Sequence, residues 1–371
     1  MRSNFLLVLT VALVLPFFGQ AQEQAAPRAK NVIIMIADGW GYNHVEAASY
    51  FQYGKEKGQS FWSFDHWPVS THAADGGYDP EFFWANFENP KLNATDSAAS
   101  ATALSTGVKT SNGYVGVDPE GNRLTGIVDR AETLGKTTGV VTSVLLSHAT
   151  PACFTAHDAN RGDYEKISKE MILDSAVDVI MGAGHPEYDN NHTPVASVDD
   201  KGYRYVGGKS TWQALLDGTA GADADGDGTP DPWHVIQTMD EFMALAAGPT
   251  AKRIFGVAQA QSTLQQERPG DPNAAPFEVP MTEGVPALAD MARGALNVLN
   301  QDPDGFFLMI EGGAVDWASH DNQKGRMIEE MVSYEKTVAA VAEWIEQLGR
   351  NAAGDYRGSR VRLSMGSRFG S

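Results

Sequence analysis

Four apolar runs limit most strongly what this chain can fold into. They read NVIIMIAD (31–38), TTGVVTSVLL (137–146), VDVIMGAG (177–184) and GFFLMIEGG (305–313). A strand that is apolar without alternation has to be covered on both faces, as in a parallel sheet. Helix-like stretches lie between the runs, among them 96–104 and VPALADMARGALNVLNQ (285–301). Strands alternating with helices predict an α/β fold, a three-layer sandwich around a central, mostly parallel sheet. Ligands of such sheets gather at the carboxyl ends of the strands. There this chain carries Asp38, His148 and Glu311.

The 371 residues suffice for one large α/β domain, read here as 22–350, with the Gly- and Asp-rich 190–270 as an insertion at one edge of the sheet. Residues 1–21 read as a secretory signal: Arg2, an apolar core from Phe5 to Phe18, and the small-x-small site Gly19-Gln20-Ala21. That predicts an exported protein, secreted or periplasmic, with no membrane association after cleavage. The net charge of -19 argues against nucleic acid as a partner. Cys153 is the single cysteine, so no intrachain disulfide can form, and its small apolar neighbours predict a buried thiol.

An acid at the end of an apolar strand is costly to bury unless it is paired or coordinated. Asp38 and Glu311 are two such acids, and together they favour a shared cation site. Asp316 and His320, spaced i and i+4 in EGGAVDWASHDN, add a carboxylate and an imidazole, a set that suits zinc; the same spacing also fits a surface pair. In SHATPACFTAHDANR (147–161), His148, Thr150, His157 and Arg161 cluster after a strand, and the Arg161 fork matches phosphate oxygens. In NATDSAASATALSTG (93–107), Asp96-Ser97 opens a helix whose neighbours are small. That start is a ready anion site, with Ser97 as candidate nucleophile. Tight helix packing would ask for the same small residues.

The order Asp38, Asp96-Ser97, His148/Thr150, Arg161, Glu311, Asp316, His320 resembles the alkaline phosphatase family, from about residue 30 to 348. The resemblance is carried by NVIIMIADGWG, by TDSAASAT (with Ala94 where Ile or Val is usual), by SHATPACFTAHDANR and by GFFLMIEGGAVDWASH. It implies hydrolysis of small phosphomonoesters through a phosphoserine on Ser97. It implies one zinc on Asp38 and Ser97, a second on Asp316 and His320, and one magnesium among Asp38, Thr150 and Glu311. Arg161 would clamp phosphate, Asp96 would orient Arg161 and the local backbone, and Ala98 to Ala101 would keep the phosphate pocket open. His148 and Trp317 would tune the third metal site. A homodimer is a further implication.

The sequence also departs from that pattern. The helix of RMIEEMVSYEKTVAAVAEWIEQLG (326–349) places Met327, Met331, Tyr334, Val338, Val341, Ile345 and Leu348 on one face. The family follows it with a strand ending in Asp-His and a later His. Residues 351–371 instead read as an atypical tail without an apolar run, frame-shifted or cut, and no His follows His320. The fold expectation is therefore an alkaline-phosphatase-like sandwich with an incomplete C-terminus. Alternative functions are an inactive or weakly metal-binding exported remnant, or a phosphodiesterase of the same superfamily. DADGDGTPD (223–231) resembles a calcium loop offering Asp223, Asp225, Asp227 and Asp231, although an acidic loop in water has the same composition.

Overall fold

The computed structural model describes residues 29–63, 95–351 and 359–365. The signal segment 1–21, and the Asn93-Ala94 start of the nucleophile motif, lie outside these residues. Among the described residues seven strands form one sheet: β1 (Asn31–Ala37), β2 (Thr137–Leu145), β3 (Val179–Ala183), β4 (His234–Ile236), β5 (Ile254–Val257), β6 (Phe306–Gly312) and β7 (Ser359–Met365). Their spatial order is β4-β5-β3-β2-β6-β1-β7, and every pairing is parallel.

The unbroken apolar runs are explained by two cores, one on each face. Along β6, Phe306, Leu308 and Ile310 enter one core, and Phe307 and Met309 enter the other. The first core is closed by the helices Leu288–Leu299 and Lys324–Asn351, the second by Ser97–Thr106, Ala149–Thr155 and Tyr164–Leu173. On the long helix, Met331, Tyr334, Val338 and Val341 are buried, and Met327 and Ile345 pack against them. Among the described residues no helix is long and apolar enough to cross a membrane.

Residues 190–270, read as an insertion at one edge of the sheet, contain β4 and β5, which continue the sheet beyond β3 at one edge. One expectation changes. The tail expected to lack a strand supplies β7, which pairs with β1 from Asn31↔Ser359 to Ala37↔Met365. Its sequence alternates Val361, Leu363 and Met365 with Arg360, Arg362 and Ser364, the period of an edge strand rather than of a buried one.

The long helix also carries buried charge. Arg268 and Glu329 form an ion pair at 2.8 Å, with Arg326 and Glu330 buried beside it. Burial, with Glu329 nearby, pushes the Glu330 carboxyl from 4.5 up to about 7. Between those values the folded chain keeps a proton that the unfolded chain has released. Stability therefore falls as pH rises through this window and stays lower above it. Glu330→Gln is expected to flatten that slope and to stabilise the chain at pH 8 by on the order of 3 kcal/mol. Urea unfolding at acidic and alkaline pH checks this; an unchanged slope would refute it.

Candidate active site

Three neighbouring strands deliver the site at their carboxyl ends. Glu311 in β6 stands opposite Ile36 of β1 and Thr142 of β2. Asp38 follows β1, and its N–H donates to the Gly312 carbonyl at 3.2 Å. His148 and Thr150 follow β2, in and before the helix Ala149–Thr155. The strand order makes β1, β6 and β2 adjacent although they are far apart in sequence.

Ser97 is the first residue of its helix, and Asp96 is the N-cap. Asp96 Oδ1 accepts from Ala99 N–H at 2.8 Å, the bond that defines such a cap. Its Oδ2 accepts from Gly113 N–H and from Arg161 Nη1, both at 2.9 Å. One carboxylate thus caps the start of the helix, holds the loop at 113 and pairs with the guanidinium. Arg161 Nη2 also lies 3.2 Å from His148 Nε2. The Ser97 hydroxyl donates to Asp38 Oδ2 at 2.8 Å. Ser97, Asp38, Asp96, His148 and Thr150 are all buried.

Glu311 is fully buried. Its Oε2 accepts from Thr142 Oγ1 at 2.5 Å, and the Thr150 hydroxyl bonds the same carboxyl. Its Oε1 has no hydrogen-bond partner among the described residues. Burial first, and then the charge of Asp38, raise the pKa of this carboxyl. A buried acceptor left without a donor fits a hard cation among oxygen ligands.

Asp316 and His320 lie on the short helix Ala314–His320, with His320 Nε2 at 3.4 Å from Asp316 Oδ1. A carboxylate with an imidazole fits zinc. The candidate donors stand as pairs among the described residues, Asp38 with Ser97 and Asp316 with His320. Among the described residues, only Asp223, Asp225 and Asp227 bring three His, Cys, Asp or Glu ligand atoms within 4.8 Å of one another, and these are exposed. The fourth acid of that loop, Asp231, accepts from Ala224 N–H at 3.0 Å instead.

Trp317 meets the His148 ring edge-on at 5.4 Å. His157 does not join the cluster expected of it: its Nδ1 pairs with Glu170 at 2.8 Å and its Nε2 with the Leu124 carbonyl at 2.9 Å. The small residues after Ser97 were expected to keep a pocket open, but Ala98, Ala99 and Ala101 are buried. Ala98 and Ala101 belong to the second core with Ala149 and Ala152, so their size serves close helix packing. Cys153 donates to the Ala98 carbonyl at 3.2 Å, and burial pushes its thiol up to about 12, which makes it inert.

Thr142 and Asn112 escaped sequence reasoning. Thr142 is a polar residue inside an apolar strand, and that was its signal. Asn112 Oδ1 accepts from Asp96 N–H at 2.9 Å across a loop, which no local pattern announces.

A family model described as Alkaline phosphatase matches residues 29–351. Alkaline phosphatase 3 of Bacillus subtilis (strain 168) is 28% identical over 325 residues, covering 86% of this chain and 58% of that protein. The chain spans 58–60% of the length of the curated Bacillus relatives it matches. The crystal structure of a cold-active alkaline phosphatase from the psychrophile Shewanella sp. superposes with a TM-score of 0.60 at 27% identity, covering 86% of this chain and 65% of that one. A variant of the alkaline phosphatase of the Antarctic bacterium TAB5, with Mg bound in its M3 site, shares the fold at a TM-score of 0.60 and 22% identity, covering 86% of this chain and 75% of that one.

Proposed function

This chain belongs to the alkaline phosphatase family, and from that premise we propose that it hydrolyses small phosphate monoesters through a phosphoserine formed on Ser97. The observation that carries the reading is the Ser97 hydroxyl, buried at a helix start and bonded to Asp38 at 2.8 Å. Asp96 holds the Arg161 guanidinium toward the same end of the helix.

Ser97 Oγ passes its proton through Asp38 Oδ2 to solvent and attacks phosphorus; the Oγ–P bond forms, and the bond to the ester oxygen breaks. The departing alkoxide takes a proton from solvent. Water then attacks the phosphoserine, phosphate leaves, and the hydroxyl is restored. Asp38 receives the hydroxyl's hydrogen bond and orients the attacking oxygen. The Arg161 fork and the N–H groups at the start of the helix gather the phosphate oxygens. Buried Glu311, Thr142 and Thr150 form a fixed, polar floor to the site.

Asp38 with Ser97 and Asp316 with His320 would hold two zinc ions, and Asp38, Thr150 and Glu311 a magnesium. Bound there, the ions supply Lewis acidity that lowers the hydroxyl pKa and stabilises the leaving oxygen. His148 and Trp317, in ring contact, shape the edge of the magnesium site. Export to the periplasm or the medium, and assembly as a homodimer, belong to the same proposal.

The test is turnover of p-nitrophenyl phosphate against bis(p-nitrophenyl) phosphate by the purified full chain with zinc and magnesium. An acid quench and mass spectrometry then locate the phosphate. Monoester turnover with phosphate on Ser97 is expected; turnover of the diester alone, or phosphate on another residue, overturns the reading. Arg161→Ala should raise KM about tenfold, the worth of one charge-assisted bidentate contact, and lower kcat as well. An unchanged KM would remove Arg161 from the phosphate site.

A further inference from the structure

One imidazole touches both segments that carry the paired donors. His44 lies in the first turn of the helix Tyr42–Tyr53, just after Asp38. Its Nδ1 accepts from Gly41 N–H at 3.0 Å. Its Nε2 lies 3.1 Å from Ser319 Oγ, across 275 residues of sequence. The Ser319 hydroxyl donates to the Val315 carbonyl at 2.7 Å, so toward His44 it is the acceptor. The ring proton is therefore on Nε2 and the lone pair on Nδ1. Burial lowers the pKa of His44, in keeping with a neutral ring.

Both contacts belong to the candidate site. Gly41, three residues after Asp38, is the N-cap of the helix that follows the Asp38-Gly39 turn, and Ser319 lies between Asp316 and His320. Gly39, at φ 63°, packs so closely that a Cβ there would collide with the Asp316 carboxylate. Gly41 is the N-cap and His44 the third helical residue, so the ring takes the place of the Glu or Gln of a capping box. A cap alone would need no second bond, and the one to Ser319 leaves the helix altogether.

We propose that His44 is a positioning residue, a strut that sets the spacing between the Asp38 turn and the Asp316–His320 helix and thereby between the two cation-holding pairs. This rests on the reading of those pairs as metal ligands. The ring is rigid and its two nitrogens point in fixed directions, so it transmits a distance that a flexible chain would not. Outer partners of this kind typically matter about 10–100-fold for metal affinity.

The test compares His44→Ala, His44→Gln, Ser319→Ala and the His44→Ala/Ser319→Ala double variant in the full chain. Two readouts are taken: amide hydrogen exchange of residues 314–320 without metal, and zinc affinity by competition with a chromogenic chelator. Each single Ala variant should speed exchange in 314–320 and weaken zinc about tenfold. The double variant should be no worse than the singles, because both cut one strut. His44→Gln, whose amide carries an acceptor and a donor, should recover most of the loss. Ala favours helix more than Ser, so a purely local effect of Ser319→Ala would slow exchange rather than speed it. Ser319→Ala leaves the cap intact and decides the matter if His44→Ala fails to fold. The strut is overturned if Ser319→Ala changes neither readout while His44→Ala frays only residues 42–53. If the unaltered chain takes up no zinc, the ligand reading fails, and the exchange data alone decide the strut.

Discussion

Ser97→Ala is expected to lower kcat for p-nitrophenyl phosphate by on the order of 10³-fold or more, because the oxygen proposed to attack phosphorus is gone. The fold should barely notice. Ala is the best helix former, and Ser97 is not the cap of its helix; Asp96 is, and its bonds to Ala99, Gly113 and Arg161 stay in place. The variant loses one hydrogen bond, from Ser97 to Asp38, worth about 1 kcal/mol. Thermal melting should shift by no more than a few degrees, while the phosphorylated peptide disappears from the acid quench. A variant retaining a tenth of the activity would mean that another group attacks phosphorus. Asp96→Ala makes the contrast: it removes the cap and the partner of Arg161 together, so activity and melting temperature should fall in the same variant.

Metal removal should have a comparable effect. Dialysis against a chelator is expected to reduce activity to about a hundredth or less, with zinc restoring part of it and zinc plus magnesium the rest. The expectation follows from Glu311, fully buried with Oε1 unpartnered among the described residues, and from the carboxylates of Asp38 and Asp316 near it. Acids gathered in this way repel one another unless cations lie among them. Ions that bind the folded chain and not the unfolded one also stabilise it, so the chelated protein should melt about 5 °C lower. The proposed donors stand in pairs among the described residues, fewer than the three protein ligands usual for catalytic zinc, so loading should be loose and fall off at low zinc. Full activity and an unshifted melt after chelation would exclude the metal-dependent reading.

How much of this was legible depended on the range of the interactions. β1, β2, β3 and β6 showed as unbroken apolar runs because both of their faces are buried. β4 and β5, of three and four residues, are too short to produce a period, and β7 alternates, so it did not resemble its neighbours. Asp38 and Glu311 stood out as acids where an apolar strand ends, and Asp96 as a cap before a run of small residues. The bonds of Thr142 to Glu311, Asn112 to Asp96 and His44 to Ser319 join distant parts of the chain, and no local window contains both ends. His157 misled for the same reason. Its neighbours along the chain pointed to the site, whereas Glu170 and the Leu124 carbonyl, remote in sequence, hold it elsewhere.

The placement of β6 between β1 and β2 has a kinetic consequence. The register Ile36↔Glu311 joins residues separated by most of the chain, and Thr142↔Glu311 by nearly half of it. Such a site cannot assemble from a nascent amino-terminal part: Asp38 and Ser97 are made early and wait for the strand that carries Glu311. Closing so long a loop delays the reward for pairing, and parallel strands with distant partners fold slowly. The recovery of catalysis after dilution from denaturant should therefore lag behind the recovery of helix signal, which makes turnover a clock for the last stage of folding.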